Sequence, residues 1–273
     1  MRLIRSAAIL AAAAAASVGL LLVVGPAGAV IGGTSDTANR YANVGVLQLH
    51  VGSDWFDFCS GTLVRADVVL TAAHCTDFLV EEGPDGFGPD DLRISFDPEG
   101  EAPYATVDHI VVNPDWFTAG PCFANSKHGC LAPPAEDIAL VFLDAPVTGV
   151  TPAPIADAGY LDGLDLKSET FTVVGYGTDA FITGSAASPK AITVFDGVRS
   201  YREVTAIPAQ DAFPDRFLKI TQGVCFGDSG GPLLHDGTVV ALNTWTFSYR
   251  CDGPNLEYRV DSAPAQAFLE ANL

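Results

Sequence analysis

The sequence predicts an all-β protein, and three features of the chain indicate this. Short runs of β-branched and aromatic residues recur along it, and the clearest are 44–51, 68–73, 107–112, 138–143, 171–177 and 238–245. Clusters of Gly, Pro, Asp and Asn separate these runs, as expected for strands joined by turns. A clear helix candidate is found only at the C-terminus, where Ser262 can cap a helix and Pro264 suits its first turn. This pattern is typical of a β-sandwich or a β-barrel.

The first 29 residues are predicted to be a signal peptide. Arg2 and Arg5 precede an apolar stretch from 7 to 24, and the sequence Ala27-Gly28-Ala29 fits the small-x-small pattern of a cleavage site. A membrane anchor is the alternative, because the stretch is close to the minimum spanning length of about 17 residues. Since the small-x-small ending favours cleavage, we expect a secreted, extracellular protein with no membrane association after processing.

Cleavage after Ala29 would leave a strongly acidic chain of 244 residues. Loss of Arg2 and Arg5 lowers the count of Lys plus Arg from 14 to 12 against 33 Asp plus Glu, so the net charge changes from −19 to −21. An acidic surface repels nucleic acid and anionic membranes, and we expect neither as a partner. The chain is long enough to bury a substantial core, and we expect a monomer.

Six cysteines in an exported chain indicate three disulfides. Sequence alone leaves many pairings open, but chain proximity favours Cys59 with Cys75, Cys122 with Cys130, and Cys225 with Cys251. Metal ligation is the rival interpretation. No Cys-x-x-Cys or paired-His spacing supports it, so we expect no metal and no cofactor. Calcium binding by the acidic run 81–91 stays open, because carboxylate oxygens suit that cation.

Three short stretches carry residues suited to nucleophilic catalysis, namely TAAHC (71–75), EDIAL (136–140) and CFGDSGGP (225–232). A serine hydroxyl needs a base to take its proton, and a histidine has a suitable pKa for accepting and returning one. The histidine in turn needs a carboxylate that fixes its tautomer. We therefore expect Ser229 to be the nucleophile, His74 the base and Asp137 the orienting carboxylate.

Taken together, these stretches resemble the chymotrypsin-like (trypsin-like) serine proteases. The resemblance extends from VIGG (30–33) through CSGTLV (59–64) and GYG (175–177) to TW (244–245), so it covers essentially all of the predicted mature chain. It implies two six-stranded antiparallel β-barrels with the active-site cleft between them. The first barrel would cover 30–150 and the second 151–273. It also implies a secreted endopeptidase that acts on polypeptides through an acyl-enzyme, with protein inhibitors as possible partners.

The resemblance assigns further roles around the nucleophile. The backbone N–H groups of Gly227 and Ser229 would form the oxyanion hole. Asp228 would pair with the α-ammonium of an apolar N-terminus, which is Val30 here. Signal peptidase would itself expose Val30, so we expect an enzyme without a zymogen step. The family pattern also implies the disulfides Cys59–Cys75 and Cys225–Cys251.

The resemblance also implies a specificity pocket that includes Gly223, Val224, Thr246 and Leu256. The family places the pocket floor six residues before the nucleophile, which is Gly223 here, and glycine offers no carboxylate to Arg or Lys. Thr246 stands where many relatives have a wall glycine, and Leu256 would narrow the slot further. We therefore expect cleavage after small or medium apolar residues.

Residues near the pocket and near Asp137 differ from the family pattern. Asp252 or Glu257 would restore a basic preference if either reached the pocket, and this alternative stays open. Thr244 occupies the position of a serine that hydrogen-bonds the catalytic Asp in the family, and its hydroxyl is expected to keep that bond.

Two alternative functions are compatible with part of the sequence. GDSGG (227–231) also fits the Gly-x-Ser-x-Gly pattern of α/β-hydrolases, but that fold requires the order Ser, acid, His. Here His74 and Asp137 precede Ser229. A catalytically weak, protease-like binding or adhesion protein is the second alternative. Such proteins often lose a triad residue or the glycines, and none is lost here.

Overall fold

The computed structural model describes residues 29–80, 86–116, 136–178, 184–185, 188–189, 197–207, 215–248 and 250–273. The strands are β1 Thr34–Ser35, β2 Val44–Val51, β3 Asp54–Arg65, β4 Val68–Thr71, β5 Leu92–Ser95, β6 Tyr104–Val112, β7 Ala139–Leu143, β8 Thr170–Gly175, β9 Gly184–Ser185, β10 Ser188–Pro189, β11 Ser200–Thr205, β12 Phe217–Ile220, β13 Pro232–His235, β14 Thr238–Thr246 and β15 Asn255–Arg259. The α-helix, α1, spans Ala263–Asn272. Short 3-10 turns cover 73–75, 77–79, 89–91, 114–116 and 160–163.

Strands β2 to β7 close into a six-stranded antiparallel barrel in the order β2-β3-β4-β7-β6-β5. Pairing of β2 with β5 completes the ring. The interior is filled by apolar side chains that alternate with outward-facing ones, and Leu47, Leu63, Ile94 and Val141 are all fully buried there.

The second sheet has the order β1-β11-β8-β13-β14-β15-β12. An antiparallel bridge between Ala206 and Ile220 joins the end of β11 to β12. The Thr221 N–H also donates to the Thr205 carbonyl over 3.0 Å. These contacts close β8 and β11 to β15 into a second six-stranded barrel, with β1 added outside. The predicted all-β double-barrel fold is therefore confirmed.

Helix α1 packs on the second barrel. The Ser262 hydroxyl accepts a hydrogen bond from the Ala265 N–H, and Pro264 lies in the first turn, as the sequence predicts. Phe268 and Leu269 are buried in the same core cluster as the second sheet. Among the described residues, no helix has the length and apolar character needed to cross a membrane. Residues 1–28 of the predicted 1–29 signal peptide lie outside the described residues, as does the predicted Cys122–Cys130 disulfide.

A buried arginine connects the two barrels. The Arg199 side chain is fully buried just before β11, and its Nε forms an ion pair of 2.9 Å with Asp36. Its Nη1 donates to the carbonyls of Val44 and Phe96, over 2.9 and 3.0 Å, at the edge of the first barrel. Because a buried guanidinium needs a partner for each donor, this network fixes how the barrels meet.

Candidate active site

Strand pairing places His74 and Asp137 together. His74 lies in the turn after β4, Asp137 lies just before β7, and β4 pairs with β7 at Thr71 and Ala139. The Asp137 Oδ2 lies 2.7 Å from His74 Nδ1, and its Oδ1 accepts the His74 backbone N–H over 2.9 Å. Asp137 is fully buried. A carboxylate held in this way keeps the proton on Nδ1, so Nε2 is left as the base.

The surroundings of His74 make its ring more basic. Burial alone lowers the pKa of His74, but the charge and hydrogen bond of Asp137, together with the charge of Asp77, raise it above the ordinary 6.5. Asp77 is itself held by the Trp116 indole N–H, which donates to its Oδ2 over 2.9 Å. The Trp116 ring centroid lies 6.4 Å from that of His74. Sequence reasoning missed both residues. For Asp77 the available signal was its position three residues after His74.

The loop that carries Ser229 packs against the same end of the first barrel. The Ser229 carbonyl accepts the Ser60 N–H over 2.8 Å and lies 3.6 Å from the Cys75 sulfur. The Ser60 hydroxyl donates to the Gly227 carbonyl over 2.8 Å. A Cβ at Gly230 would come within 2.9 Å of the Ala72 nitrogen. Only glycine at this position therefore allows the loop to lie so close to the segment that carries His74. The structure thus brings the Ser229 loop to the segment that carries His74.

The conformation of this loop depends on Gly227 and Asp228. Gly227 adopts a φ of 94°, in the left-handed region that favours glycine. The buried Asp228 carboxylate accepts the N–H groups of Gly177 and Cys225, each over 2.9 Å. A Cβ at Gly177 would lie 2.6 Å from the Asp228 carboxyl carbon. The GYG segment therefore cradles Asp228 closely.

The predicted new N-terminus lies inside the protein. Val30 is fully buried, and the Ile31 N–H donates to the Gly223 carbonyl over 3.0 Å. The Ile31 carbonyl accepts from Arg202 over 2.6 Å. An α-ammonium at Val30 exists only after the bond following Ala29 is cut. Pairing of that ammonium with Asp228 therefore stays a prediction.

Two disulfides brace the candidate site. Cys59–Cys75 has a Cα–Cα distance of 6.2 Å and ends next to His74, and Cys225–Cys251 has one of 5.4 Å and starts the Ser229 loop. Cys59, His74 and Cys75 also form a group whose possible ligand atoms lie within 4.8 Å of one another. Both sulfurs are consumed in the disulfide, and a metal requires thiolates, so this group does not form a metal site.

The predicted pocket residues are arranged around Asn255. Its side-chain oxygen accepts the N–H groups of Gly223 and Val224, over 3.0 and 3.2 Å, and its Nδ2 donates to the Val224 carbonyl. Leu256 is buried in the core cluster of the second barrel. Because side chains alternate along a strand, Leu256 points to the opposite face of β15 from Asn255. Thr246 is half-buried at the end of β14.

Thr244 does not make the expected bond to Asp137 among the described residues. Its hydroxyl donates to the Leu242 carbonyl over 3.0 Å and accepts the Tyr258 N–H over 3.3 Å. The hydroxyl is satisfied within the β14–β15 pair, which leaves it no proton for Asp137. The segment before Asp137 is held instead through Glu136.

Glu136 links the Asp137 segment to the second barrel. Its carboxylate accepts a hydrogen bond from the Tyr258 hydroxyl and forms an ion pair of 2.8 Å with Arg216. The backbone at Glu136 has a φ of 57°, which is unusual for a residue with a side chain. Sequence reasoning did not identify this contact, because its partners are about 80 and 120 residues away along the chain.

Comparisons with known proteins agree with this architecture. The family model described as Trypsin matches residues 30–268. Chymotrypsin-like elastase family member 1 from Bos taurus is 36% identical over 91 residues, which cover 32% of this chain and only 31% of the elastase. A chymotrypsin-like serine proteinase from Haliotis rufescens is 23% identical over 239 residues, 85% of this chain and 88% of that protein.

A solved structure gives the same result for the fold. Human heparin binding protein superposes with a TM-score of 0.62 at 17% identity, covering 88% of this chain and 95% of that one. Identity this low shows the fold alone. The family match, however, spans nearly all of the predicted mature chain, and this protein therefore belongs to the trypsin family of serine proteases.

Proposed function

We propose that the protein is a secreted serine endopeptidase that cleaves polypeptides through an acyl-enzyme. One observation carries the proposal. The 2.7 Å contact of His74 Nδ1 with the buried Asp137 lies where the Ser229 loop packs on the first barrel. A base with a fixed tautomer beside a serine in a glycine-rich loop is the arrangement that acyl transfer requires.

The mechanism follows from these positions. Ser229 Oγ attacks the peptide carbonyl while His74 Nε2 takes the hydroxyl proton, and Asp137 stabilises the imidazolium. The oxyanion would accept hydrogen bonds from the N–H groups of Gly227 and Ser229. His74 then gives its proton to the leaving amine, whose C–N bond breaks. Water adds to the acyl-enzyme with His74 again as the base, and this releases the acid product and Ser229.

The proposed maturation of the enzyme needs one proteolytic processing step. Signal peptidase cleaves after Ala29 and frees Val30, whose ammonium pairs with Asp228 and orders the oxyanion hole. The buried position of Val30 and the bond from Ile31 to Gly223 support this, because the segment already lies against the Ser229 loop. The secreted enzyme would act as a monomer, without a cofactor.

The proposed pocket accepts small or medium apolar residues before the cut bond. The absence of a side chain at Gly223 and the presence of one at Thr246 support this preference. Val224 adds a buried apolar side chain beside the floor.

A non-cleaving binding protein is the second candidate, because human heparin binding protein has a similar fold. Heparin is a polyanion, and this chain has 33 acidic residues against 14 Lys and Arg. Like charges repel such a ligand, so the likeness supports the fold and not that ligand.

Covalent labelling separates the two candidates. A fluorophosphonate probe is expected to label the processed protein at Ser229 and to leave Ser229→Ala unlabelled, because only an activated serine reacts. Ser53→Ala is the matched control, since Ser53 lies in an exposed turn, and it should label normally. Absence of label on folded protein that starts at Val30 would favour the non-cleaving candidate.

The acid side of the pH profile should report the raised pKa of His74. His74 acts as a base only when neutral, so kcat/KM should fall as the pH drops through a midpoint above 6.5. Asp77→Asn removes one negative charge that raises this pKa and should move the midpoint to lower pH. The profile is measured with a peptide substrate between pH 5 and pH 9. A midpoint at or below 6.5 in the unmodified enzyme would contradict this expectation.

A further inference from the structure

Both backbone groups of Ile31 are held by residues of the second barrel. Its N–H donates to the Gly223 carbonyl over 3.0 Å. Its carbonyl accepts a hydrogen bond from Arg202 Nη1 over 2.6 Å. One residue earlier, the Val30 carbonyl accepts the Gly33 N–H over 2.8 Å, which closes a tight turn. The position of Val30 is therefore set by the two bonds that its neighbour makes.

Arg202 supplies the side-chain half of this anchor from strand β11. It pairs with Val173 of β8, and alternation along β11 puts Val204 on the same face. A Cβ at Gly223 would come within 2.9 Å of Val204 and 3.3 Å of Val173, so this face of the β8–β11 pair lies against Gly223. The half-buried guanidinium thus reaches Ile31 beside the residue that binds the Ile31 N–H.

Two glycines let the segment lie close to β11. Gly32 adopts a φ of 65°, and a Cβ there would lie 3.5 Å from Arg202 Nη1. A Cβ at Gly33 would come within 3.1 Å of the Tyr201 carbonyl. A side chain would therefore be strained at Gly32 and crowded at Gly33. The contact between the segment and β11 depends on both glycines and on Arg202.

Three side chains with a charge or a titratable group act on this region. Arg202 bonds to the segment, Asp228 is the predicted partner of its ammonium, and Glu257 of β15 is close enough to Asp228 for their charges to interact. Glu203 is exposed, and alternation points its side chain to the opposite face of β11 from Arg202. Asp228 and Glu257 are present in every variant compared below, so a difference between variants reports on Arg202.

We propose that Arg202 is a positioning residue that holds the processed N-terminus in its inserted position, where the Val30 ammonium reaches Asp228. The new α-amine lies only one residue before Ile31, so release of the Ile31 carbonyl also releases the chain end. Loss of a hydrogen bond from a charged donor should weaken insertion roughly tenfold. The proposal rests on the maturation and the endopeptidase function proposed above, and it assigns a residue that stabilises the active state.

Trimming by an aminopeptidase tests this role without any catalysis by the protein. The chain that starts at Val30 is prepared as Ser229→Ala and as the double variant with Arg202→Met, and loss of Val30 is followed by mass spectrometry. Only a released end can be trimmed, so the rate follows the released fraction and should rise roughly tenfold in the double variant. Arg65→Met in the same background is the matched control, because Arg65 is an exposed arginine at the end of β3, and it should leave the rate unchanged.

The alkaline limb of kcat tests the same step in the active enzyme. Insertion requires the charged amine and is lost as the pH rises through the pKa of the inserted group. Insertion that is tenfold weaker should lower this midpoint by about one pH unit. Near pH 7, kcat and KM should change by less than about threefold. Arg202→Lys keeps a charged donor and should recover at least half of the shift.

The outcomes separate an anchor from a residue that only stabilises the fold. A trimming rate within about twofold of the rate without Arg202→Met overturns the proposal, as does an unmoved alkaline midpoint, even where thermal stability falls. If Arg202→Met does not fold, Arg202→Gln, which keeps a polar side chain without the charge, replaces it under the same criteria. Fluorophosphonate labelling reports separately on the endopeptidase function: faster trimming in a protein that is never labelled supports the anchor and contradicts that function.

Discussion

Asp137→Asn is expected to lower kcat about 10⁴-fold while leaving KM nearly unchanged. The asparagine amide would donate to His74 Nδ1, where Asp137 Oδ2 now accepts at 2.7 Å. The imidazole would then carry its proton on Nε2 and could not accept one from Ser229, and the imidazolium would lose its partner. Asp137 is fully buried and would not touch substrate, so the loss should appear in kcat.

Steady-state rates near pH 8 on a peptide p-nitroanilide with Ala before the cut bond measure this effect. Glu136→Gln is the matched control, because it neutralises the adjacent carboxylate, which contacts Tyr258 and Arg216. Its loss should stay below about tenfold. A loss of less than about tenfold in Asp137→Asn itself would show that Asp137 does not orient the base.

A chain that begins at Ala29 is expected to be at least about 100-fold less active than one that begins at Val30. The extra residue replaces the Val30 ammonium by an uncharged amide, and Asp228 loses a positive partner. Disorder in the oxyanion hole follows, and the loss of one donor there typically costs 10²- to 10³-fold. The structure already buries both Ala29 and Val30, so charge and not bulk should cause the difference.

The two chains can be produced from a cleavable fusion and compared by kcat. Asp228→Asn in the Val30 chain should cause a similar loss, and combining it with the Ala29 extension should add little, because both changes remove the same pair. Equal activity of the two chains would contradict the pairing. The N-terminus of the natural secreted protein, read by sequencing, should be Val30.

The same pairing predicts a reversible loss of activity in alkali. A paired ammonium should have a pKa raised above the free value of about 7.7–8.0. Its stabilisation is fully present below the free pKa and is lost as the pH rises through the folded one. The chain beginning at Ala29 should lack this alkaline limb.

Local motifs account for what could be predicted from the sequence. TAAHC and GDSGGP locate the turns that carry His74 and Ser229, because the residues adjacent to each side chain in the sequence set its local backbone conformation. The strand β11 was not predicted, since Arg202 and Glu203 interrupt its apolar pattern. Tertiary pairing forms that strand, which no single segment reveals.

Contacts between distant segments account for the rest. An arginine is usually exposed, but Arg199 is buried and its Nε donates to Asp36, which lies 163 residues earlier in the chain. The Thr244 hydroxyl was predicted to bond to Asp137, but it bonds to the Leu242 carbonyl and the Tyr258 N–H within its own sheet. Asn243 and Glu257 become direct cross-strand partners only when β14 and β15 are placed in register. These features depend on three-dimensional satisfaction of polar groups, which pattern and spacing do not encode.

Ser60 gives the protein a vulnerability that neither barrel has alone. This first-barrel residue holds the carbonyls of Gly227 and Ser229 through its hydroxyl and its amide. The loop that carries Ser229 is thus held by a residue from the other barrel. Mild denaturant or mechanical strain that separates the two barrels should therefore inactivate the protein while the core of each barrel stays packed. Inactivation would then precede unfolding, as a distinct and earlier event.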